Sequence, residues 1–472
     1  MEINAAFAVL LAMANTALSF RTFQNPNPRP EYTSGQVHND LMSLKMGRYA
    51  MRQQAGEYAS AMYSNSTVSE RVPCVNGYAN EFQCSNFDLL YFATHADLGS
   101  AEGRGSSSWG WTAKDGREYI AIGQADGAAF AEVTPEGKLD YIGRLPQPDG
   151  VEPSAWRELR VMNDLAVIGS EAEGHHVQIF DMKKLLEVAE GEKPKTFHPL
   201  DDIESLFDQL PLGRTHNIVV NSELNYAVSV GSQPRSSRFK GGLVFIDLED
   251  PKNPVLAGYQ ADDGYIHDAQ CIIYKGPDAR YVGEDVCYGF NEDTLTIYNV
   301  TNKANGTIIS RMSYEGAAYI HQGWVTDTEN QEYLLVDDEY DEWDHTTFSS
   351  DGHAITYIID IRDLENPTLS GHYKSAVRGI DHTQYTKDGL VYQSNYGTGL
   401  RVLDITSIPL DPTGGGVKEI GFFDIYPEDD DLEDGGVVDF LGTWSSYGLF
   451  ASGHVVINTI ERGAFVVKYT GS

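Results

Sequence analysis

The sequence predicts an all-β fold, a seven-bladed β-propeller whose four-stranded antiparallel blades close into a ring. The main observation is a repeat of about 55 residues, in which a strand, a tight polar turn and a second strand recur. The strands are short and apolar, and Gly, Pro, Asn and Asp separate them, as is typical of propeller blades. The seven copies begin at Ile122, Ile168, Val230, Tyr288, Val336, Tyr392 and Ile457.

Two further markers follow the same repeat. Several strands end in Asp or Asn before a turn, and these short side chains are predicted to accept backbone N–H hydrogen bonds where the chain reverses. A Trp or His opens one strand in each repeat. The turn residues are Asp181, Asp247, Asn299, Asp360 and Asp404, and the strand-opening residues are Trp109, Trp156, His216, His267, His321, His382 and Trp444.

The last repeat lacks one strand. Its segment INTIERGAFVVKY provides a third strand, and the sequence then ends. Closing seven blades into a ring buries the faces between neighbours and leaves only short edges. We therefore predict that the apolar segment FDLLYFATHADL (87–98) supplies the missing fourth strand, so that residues 85–472 form one cooperative domain.

The residues before the propeller fall into two predicted parts. Residues 1–19 contain an apolar run and a small-x-small cleavage site, which predicts a signal peptide; a buried N-terminal helix is the alternative. Residues 20–84 are predicted to form a leader. It begins with a flexible stretch rich in Pro and Asn over 20–38, continues as a helix from Asn39 to Met62, and ends in a disulfide loop.

The charge of the chain limits its partners. There are 34 Lys and Arg against 69 Asp and Glu, which gives a formal net charge of −35. This charge repels nucleic-acid phosphates and anionic membrane surfaces, so neither is an expected partner. No later stretch reaches the roughly 18 consecutive apolar residues of a membrane span. The mature protein is expected to be soluble, without membrane insertion, and to favour neutral or cationic ligands.

The cysteines indicate an oxidising compartment. They form two close pairs, neither with the spacing of a zinc site, and predict the disulfides Cys74–Cys84 and Cys271–Cys287. Three Asn-x-Ser/Thr sequons are glycosylation candidates in a secretory pathway. We therefore expect a secreted, extracellular glycoprotein. The sequons lie at Asn65, Asn299 and Asn305.

Several sequence blocks, in order along the chain, resemble a known family. They include GGLVFIDLEDPKNPVLAGY, YIHQGWVTD, DDEYDE, IDHTQY, QSNYGTGLRVLDI and NTIERGAFVVKY. These blocks are similar to those of the extracellular LVIVD-repeat, or choice-of-anchor B, proteins. The resemblance implies an extracellular β-propeller and no established reaction. The chain departs from the family in lacking a recognisable anchor and in its acidic stretch EDDDLEDGG (428–436).

The predicted blade geometry brings two sets of polar residues, one that opens first strands and one that follows second strands, to the same mouth of the central channel. In an antiparallel pair the start of the first strand lies beside the end of the second. The strand-opening histidines should therefore lie beside the turns that follow the second strands. The candidate ligand-binding residues are His216, His267, Asp268, His321, Gln322, His382, Glu171, Glu339, Glu461 and Arg462.

Divalent cations, Ca²⁺ or Zn²⁺, are the cofactors considered for this chain. The best candidate metal set is His267, His321 and Asp268, since blades around a seven-fold channel are expected to hold all four histidines apart. The alternative is that each His satisfies backbone groups near the channel. The acidic loops 337–344 and 428–435 lack the spacing of a Ca²⁺ loop and are interpreted as solvated charge.

Two functions fit these residues. The first is a secreted binding or scaffold protein without catalysis, whose glycan or extracellular protein ligand rests at the channel mouth. The second is a carbohydrate-active enzyme at the same mouth. Glu292 and Glu339 would form the carboxylate pair of a glycoside hydrolase. His267 or His321 would be the base, and Tyr396 the acid, of a polysaccharide lyase. Fold alone does not decide between the two functions.

Overall fold

The computed structural model describes residues 20–471, and the predicted signal peptide lies outside the described residues. Seven antiparallel sheets, each containing a run of four strands, are arranged around one axis. The first strands of neighbouring blades contact one another all the way round, and the last blade contacts the first. The seven-bladed propeller predicted from the repeat is therefore confirmed.

Blades 1 to 4 are numbered in chain order, and each is given from its innermost to its outermost strand. Blade 1 is Gly105–Thr112, Glu118–Gln124, Gly127–Val133 and Leu139–Pro146. Blade 2 is Arg157–Met162, Leu165–Ser170, Val177–Asp181 and Ser205–Phe207. Blade 3 is Asn217–Asn221, Tyr226–Val230, Leu243–Asp247 and Val255–Gln260. Blade 4 is Asp268–Ile273, Asp285–Phe290, Leu295–Asn299 and Thr307–Tyr314.

Blades 5 to 7 complete the ring. Blade 5 is Ile320–Val325, Tyr333–Asp338, His353–Asp360 and Thr368–Arg378. Blade 6 is Thr383–Lys387, Leu390–Ser394, Leu400–Asp404 and Lys418–Phe423. Blade 7 is Thr443–Tyr447, His454–Thr459, Gly463–Tyr469 and, from the beginning of the chain, Phe87–Thr94.

Three blades gain extra strands at their outer edges. Thr22–Gln24 pairs with the last strand of blade 4, and Lys195–Thr196 pairs with the last strand of blade 1. Phe82–Ser85 and Tyr78–Ala79 extend blade 6. These additions pair backbone groups that an edge strand would otherwise leave open.

The ring closes through Phe87–Thr94, which we call the closing strand. It pairs antiparallel with Gly463–Tyr469, from Gly463 opposite Thr94 to Tyr469 opposite Phe87. At this seam the Phe92 ring stacks on Phe465, with 4.1 Å between the centroids. The prediction that an N-terminal strand completes the last blade is therefore confirmed.

The hydrophobic core consists of layers between blades. One apolar cluster fills each of the seven spaces between neighbouring blades, and a further cluster joins the N-terminal helix to the channel mouth. Each blade buries both faces in this way, because a four-stranded sheet alone would leave them exposed. The position of each first strand is consequently fixed by its two neighbours.

The predicted turn formers are confirmed. In each case the side-chain oxygen accepts a hydrogen bond from the backbone N–H two residues further on, at 2.9 to 3.0 Å, which is the geometry of an Asx turn. These residues are Asp181, Asp247, Asn299, Asp360 and Asp404.

The N-terminal segment differs from its prediction. A short helix α1 (Pro30–Thr33) and a long helix α2 (Gln36–Ala55) occupy part of the stretch expected to be flexible. The predicted helix began at Asn39, three residues too late, because Gly35, at φ 78°, turns the chain directly from α1 into α2. Gly56, at φ 83°, ends α2, as left-handed glycines commonly do.

Short 3₁₀ helices complete the described secondary structure. They are Ser60–Met62, Ser64–Ser66, Met182–Glu187, Glu190–Glu192, Pro211–Gly213, Lys303–Asn305 and Glu433–Gly435. Both predicted cysteine pairs are joined, Cys74 to Cys84 and Cys271 to Cys287. Between residues 20 and 471, none of the helices has the length and apolar character that crossing a membrane requires.

The seam predicts a large effect of one core substitution. Phe92 is 1% exposed, so Phe92→Ala should lower the free energy of unfolding by roughly 3 to 5 kcal/mol through the cavity it leaves. Phe23 is 47% exposed and supplies the matched control, for which Phe23→Ala should change the free energy by less than about 1 kcal/mol. Chemical denaturation measures both, and equal effects would contradict closure through Phe92.

Candidate functional site

Helix α2 lies across the channel mouth that the sequence analysis singled out. Its buried residues His38, Leu41, Lys45 and Tyr49 follow a spacing of three or four, so they form one stripe along the helix. His38 hydrogen-bonds the Tyr319 hydroxyl through Nδ1 at 2.7 Å. The stripe faces the propeller and closes this mouth, which we call the histidine mouth.

A buried ion pair fixes α2 at the centre of this mouth. The Lys45 ammonium lies 2.5 Å from Oε1 of Glu339, and the two side chains are 3% and 0% exposed. The Tyr396 hydroxyl donates a hydrogen bond to the same oxygen. Burial alone would raise the pKa of Glu339, but Lys45, followed by His321 and His382, together outweigh burial and lower the pKa to about 2. Burial lowers the pKa of Lys45, and Glu339 opposes that change.

The rings of the four histidines of the mouth lie side by side in an arc, each tilted relative to the next. Adjacent ring centroids are 4.1 Å apart from His216 to His267, 4.1 Å from His267 to His321, and 4.7 Å from His321 to His382. The expectation that the blades hold these histidines apart is therefore wrong. The first strands begin close to the axis, and each imidazole extends inward from its blade to meet the next.

Each of these imidazoles uses its Nδ1 atom for a hydrogen bond. His267 donates to the His321 carbonyl at 3.1 Å and His382 donates to the Trp444 carbonyl at 2.6 Å. In the other two histidines Nδ1 faces a carboxylate, Glu171 for His216 at 2.6 Å and Asp337 for His321 at 3.2 Å. This pattern fixes the ring orientations and leaves the Nε2 atoms as the free ring nitrogens.

A small cavity lies beneath the arc. Its volume is about 20 Å³, enough for one water-sized atom, and the four histidines form part of its wall. The other lining residues are Trp156, Arg157, Glu158, Asn217, Thr383 and Trp444. The histidine mouth is thus a closed polar centre with α2 above it.

The other predicted site residues divide into three groups. Glu171, Glu339 and Tyr396 lie against the histidines, as described above. Asp268 lies 4.0 Å from Arg160, further down the channel, and Gln322 exchanges hydrogen bonds with the Gln384 backbone of blade 6.

Blades 4 and 7 contribute the others. Glu292 pairs with Arg235 at 2.5 Å and lies 3.8 Å from His38, and burial raises its pKa to about 7. Glu461 accepts a hydrogen bond from the Gly442 N–H at 2.9 Å, and Arg462 pairs with Glu428. These two residues are held by their own surroundings in blades 6 and 7.

Two functional features were missed by the sequence analysis. Lys45 lies within the helix predicted from Asn39 to Met62, and no local pattern marked it as buried. The second feature is the segment DDEYDE, which was interpreted as solvated charge. That interpretation is wrong, because Asp337, Asp338, Glu339, Asp341 and Glu342 are each at most 1% exposed.

This buried acidic segment is joined by Asp381 from blade 6. Asp381 directly precedes His382, whose Nε2 lies 3.7 Å from Oε1 of Glu339, and it is close enough to be repelled by Asp341 and Asp338. Both Asp381 carboxylate oxygens are buried without a hydrogen-bond partner. Burial, followed by repulsion from Asp341, raises the pKa of Asp381 well above its usual value.

The opposite end of the channel is open. A cleft of about 290 Å³ lies among the far ends of the first strands, with the half-buried rings of Trp109 and Trp324 at its edge. Arg160 lies between them and the channel, 4.5 Å from the centre of the Trp109 ring, and donates to the Tyr385 hydroxyl at 2.7 Å. We call this end the tryptophan mouth.

Trp109 therefore differs from its prediction. It was expected to open a strand like the histidines, but it lies inside Gly105–Thr112. Its ring centroid lies 5.0 Å from that of Tyr385 and 5.3 Å from that of Tyr447. The Tyr385 centroid in turn lies 5.1 Å from that of Trp324. The position of Trp109 in the repeat was misassigned, because the local sequence pattern is the same for an aromatic residue that opens a strand and for one near the far end of that strand.

The predicted sequons lie in two environments. Asn65 and Asn305 are exposed, whereas Asn299 is half-buried at the end of a blade 4 strand and uses its side chain in an Asx turn. The disulfides favour an oxidising, extracellular environment.

No protein-family model matches the chain, and no curated protein matches it. Among solved structures, a functionally unknown protein from Desulfotomaculum acetoxidans is similar at 9% identity with a TM-score of 0.44, covering 67% of this chain and 88% of that one.

Two further solved structures are similar. The C-terminal WD40 domain of Sif2 has 10% identity and a TM-score of 0.47, and the match covers 81% of this chain and 98% of that one. The computationally designed Ika8 protein has 12% identity and a TM-score of 0.42, with 77% and 83% covered. The propeller assignment itself follows from the seven sheets.

The histidine arc predicts acid sensitivity. Burial lowers the pKa of His382 to about 4 and lowers those of His267 and His321 well below 6.5. The unfolded chain binds protons at these histidines more tightly than the folded chain does. The neutral histidines therefore contribute their full stability above pH 6.5, and this contribution is lost as the pH falls towards 4. For His382 the loss should be roughly 3 kcal/mol. His382→Asn should flatten the dependence of unfolding free energy on pH over this window.

The control for this experiment is His345→Asn, since His345 is exposed. Its pH dependence should match that of the unmodified protein. Equal slopes for His382→Asn and the unmodified protein would show that His382 keeps an ordinary pKa.

For the unpartnered carboxylate of Asp381 we predict the opposite dependence of stability on pH. A raised pKa in the folded state contributes stability that is lost as the pH rises, so ionised Asp381 destabilises the protein at pH 8. Asp381→Asn should therefore raise the free energy of unfolding at pH 8 in chelator-containing buffer, by roughly 1 to 3 kcal/mol. The exposed Asp208 offers the control Asp208→Asn, with no gain expected. A loss of stability for Asp381→Asn would refute this account.

Proposed function

We propose that the protein is a non-catalytic binding propeller that takes a neutral glycan at the tryptophan mouth. The observation that carries this proposal is the 290 Å³ cleft bordered by the partly exposed rings of Trp109 and Trp324. Concave sites with aromatic walls and a few polar groups are typical of small-ligand binding. The C–H face of a sugar ring packs on aromatic rings of this kind, and the exposed Ser222 at the rim offers hydrogen bonds to hydroxyl groups.

The charge of the protein supports a neutral ligand. The net charge of −35 repels polyanionic glycans at long range. Arg160, the cation of the cleft, is already paired with Glu158 and held by Tyr385. A carboxylate or sulfate group on the ligand would have to compete with these partners, whereas a hydroxyl group would not.

The proposal also includes the location of the protein. We propose that it is secreted and acts outside the cell, as an extracellular propeller of the LVIVD-repeat type. The two disulfides support an oxidising environment. The exposed sequons at Asn65 and Asn305 leave room for glycosylation.

A carbohydrate-active enzyme at the histidine mouth is the second candidate. One observation favours it: the pKa of Glu292 is raised to about 7 by burial, whereas Glu339, which Lys45 holds in its ionised form, has a pKa of about 2. Two carboxyl groups with separated pKa values are what an acid and a nucleophile require. Against this function, the two residues are 3% and 0% exposed beneath α2, so a polysaccharide has no path to them here.

The binding proposal is tested by substitutions at the tryptophan mouth. Purified mature protein is screened against a glycan panel, and both bound ligand and newly released reducing ends or unsaturated uronates are measured. Trp109→Ala and Trp324→Ala should each weaken binding of a captured neutral glycan by about tenfold, the equivalent of one lost stacking contact. The matched control is Trp343→Ala, because Trp343 packs on Phe440 at the other mouth.

Two outcomes would overturn the proposal. Binding that is unchanged in both tryptophan variants would place the ligand elsewhere. Release of new ends that stops in Glu339→Gln, with the variant still folded by circular dichroism, would establish the enzyme at the histidine mouth instead.

A further inference from the structure

We propose that His321, His382 and Glu339 form a binding site for a divalent first-row transition metal such as Zn²⁺, at the axis of the histidine mouth. One ligand atom from each residue lies within 4.8 Å of the others, a convergence that no other group of three or more His, Cys, Asp or Glu reaches within residues 20–471. Two imidazoles and one carboxylate are an established zinc ligand set. This inference is independent of glycan binding at the other mouth.

The distances place the free ligand atoms around one point. Nε2 of His321 lies 3.8 Å from Oε2 of Glu339, and Nε2 of His382 lies 3.7 Å from Oε1. An ion bonded to these atoms at about 2.0 to 2.2 Å would need only small side-chain rotations. His321 and Glu339 belong to blade 5 and His382 to blade 6, so the ion would join two blades.

One buried oxygen is already without a partner. Oε2 of Glu339 has no hydrogen-bond donor although the side chain is fully buried, and it is the oxygen that faces His321. A buried carboxylate oxygen without a donor is costly, and a metal ion would satisfy it. This observation concerns hydrogen bonding and is independent of the convergence of the three residues.

The outer contacts of the histidines are those of metal ligands. Metal-binding histidines usually donate their second ring N–H to a carboxylate or a backbone carbonyl. In His382 the Nδ1 atom donates to the Trp444 carbonyl, and in His321 it faces Asp337. Both rings are thereby oriented with Nε2 towards Glu339. The cavity below the arc, which His216 and His267 also line, leaves space beside the two histidine ligands.

The Lys45 ammonium competes with the metal ion for the Glu339 carboxylate. Its ammonium lies 2.5 Å from the other Glu339 oxygen and supplies the positive charge that this carboxylate requires in a buried site. A divalent ion bound beside it would be repelled by that charge. Metal binding should therefore be stronger when the ammonium is removed, which distinguishes a real site from adventitious binding to the acidic surface.

The experiment uses the full mature protein, stripped of metal with a chelator and dialysed, and titrated with Zn²⁺ by calorimetry. We expect about one Zn²⁺ per chain. Lys45→Met keeps the length of the side chain and removes the charge, and should tighten binding by at least about tenfold. His321→Asn and Glu339→Gln should each weaken it by at least about tenfold. His345→Asn, on the exposed surface, is the matched control and should leave the affinity unchanged.

A spectroscopic measurement guards against variants that fail to fold. Co²⁺ added to the unmodified protein and to Lys45→Met should give visible absorption typical of nitrogen and oxygen ligands in a low-symmetry site, and Zn²⁺ should abolish it. The proposal is overturned if both proteins stay free of metal at micromolar Zn²⁺. It is also overturned if folded His321→Asn binds as tightly as the unmodified protein. Neither result would affect glycan binding at the tryptophan mouth.

Discussion

The pairing of Phe87–Thr94 with Gly463–Tyr469 joins the two ends of the blade array, and the positions of the other blades depend on it. A closed ring fixes each first strand between two neighbours, so the strands converge on one axis. The histidines that open these strands consequently meet in one arc. In an open array the same residues would lie at the starts of separate sheets.

Closure also determines what lies above the arc. The closing strand begins at Phe87, so residues 20–86 precede the blades. Their two ends pair with the outer edges of blades 4 and 6, and the part between these ends can cover a face. Helix α2 uses this freedom to place Lys45 on the axis, where Glu339 can pair with it. The ion pair is costly to desolvate and expensive to break once buried. The histidine mouth is therefore a sealed centre, and the tryptophan mouth is the accessible end of the channel.

The sequence was sufficient for the parts of the structure that repeat. Seven strand pairs, the Asx turns and the closing strand each have a local pattern, and antiparallel geometry alone placed Glu171 beside Trp156, the residue that opens its own blade. The arc itself could not be predicted, because the distance between blades at the axis depends on the packing of all seven. Nor could the burial of Lys45, since a lysine in a helix is normally exposed and only tertiary contacts decide otherwise.

The acidic segment is the clearest case of a local rule that fails. Charged runs are usually solvated, and DDEYDE has no spacing that signals otherwise. Its burial follows from the position of Tyr333–Asp338 as a second strand, whose end turns inward beneath α2. The Trp109 error has a similar origin, because Arg104 lies beside the end of the second strand, and Trp109, five residues further along the first strand, lies towards the opposite mouth.

The connection between α2 and the closing strand has a consequence for binding at the histidine mouth. Eleven residues separate Gly56 from Val68, whose backbone pairs with Phe92 of the closing strand, so the far end of this tether is anchored in blade 7. If the contacts of α2 break, the helix stays close to the mouth and rebinds as an intramolecular partner. Such a tether corresponds to an effective concentration of roughly millimolar. Any ligand of this mouth must compete with that concentration, which is a property of the chain's connectivity and is independent of the ligand's own chemistry.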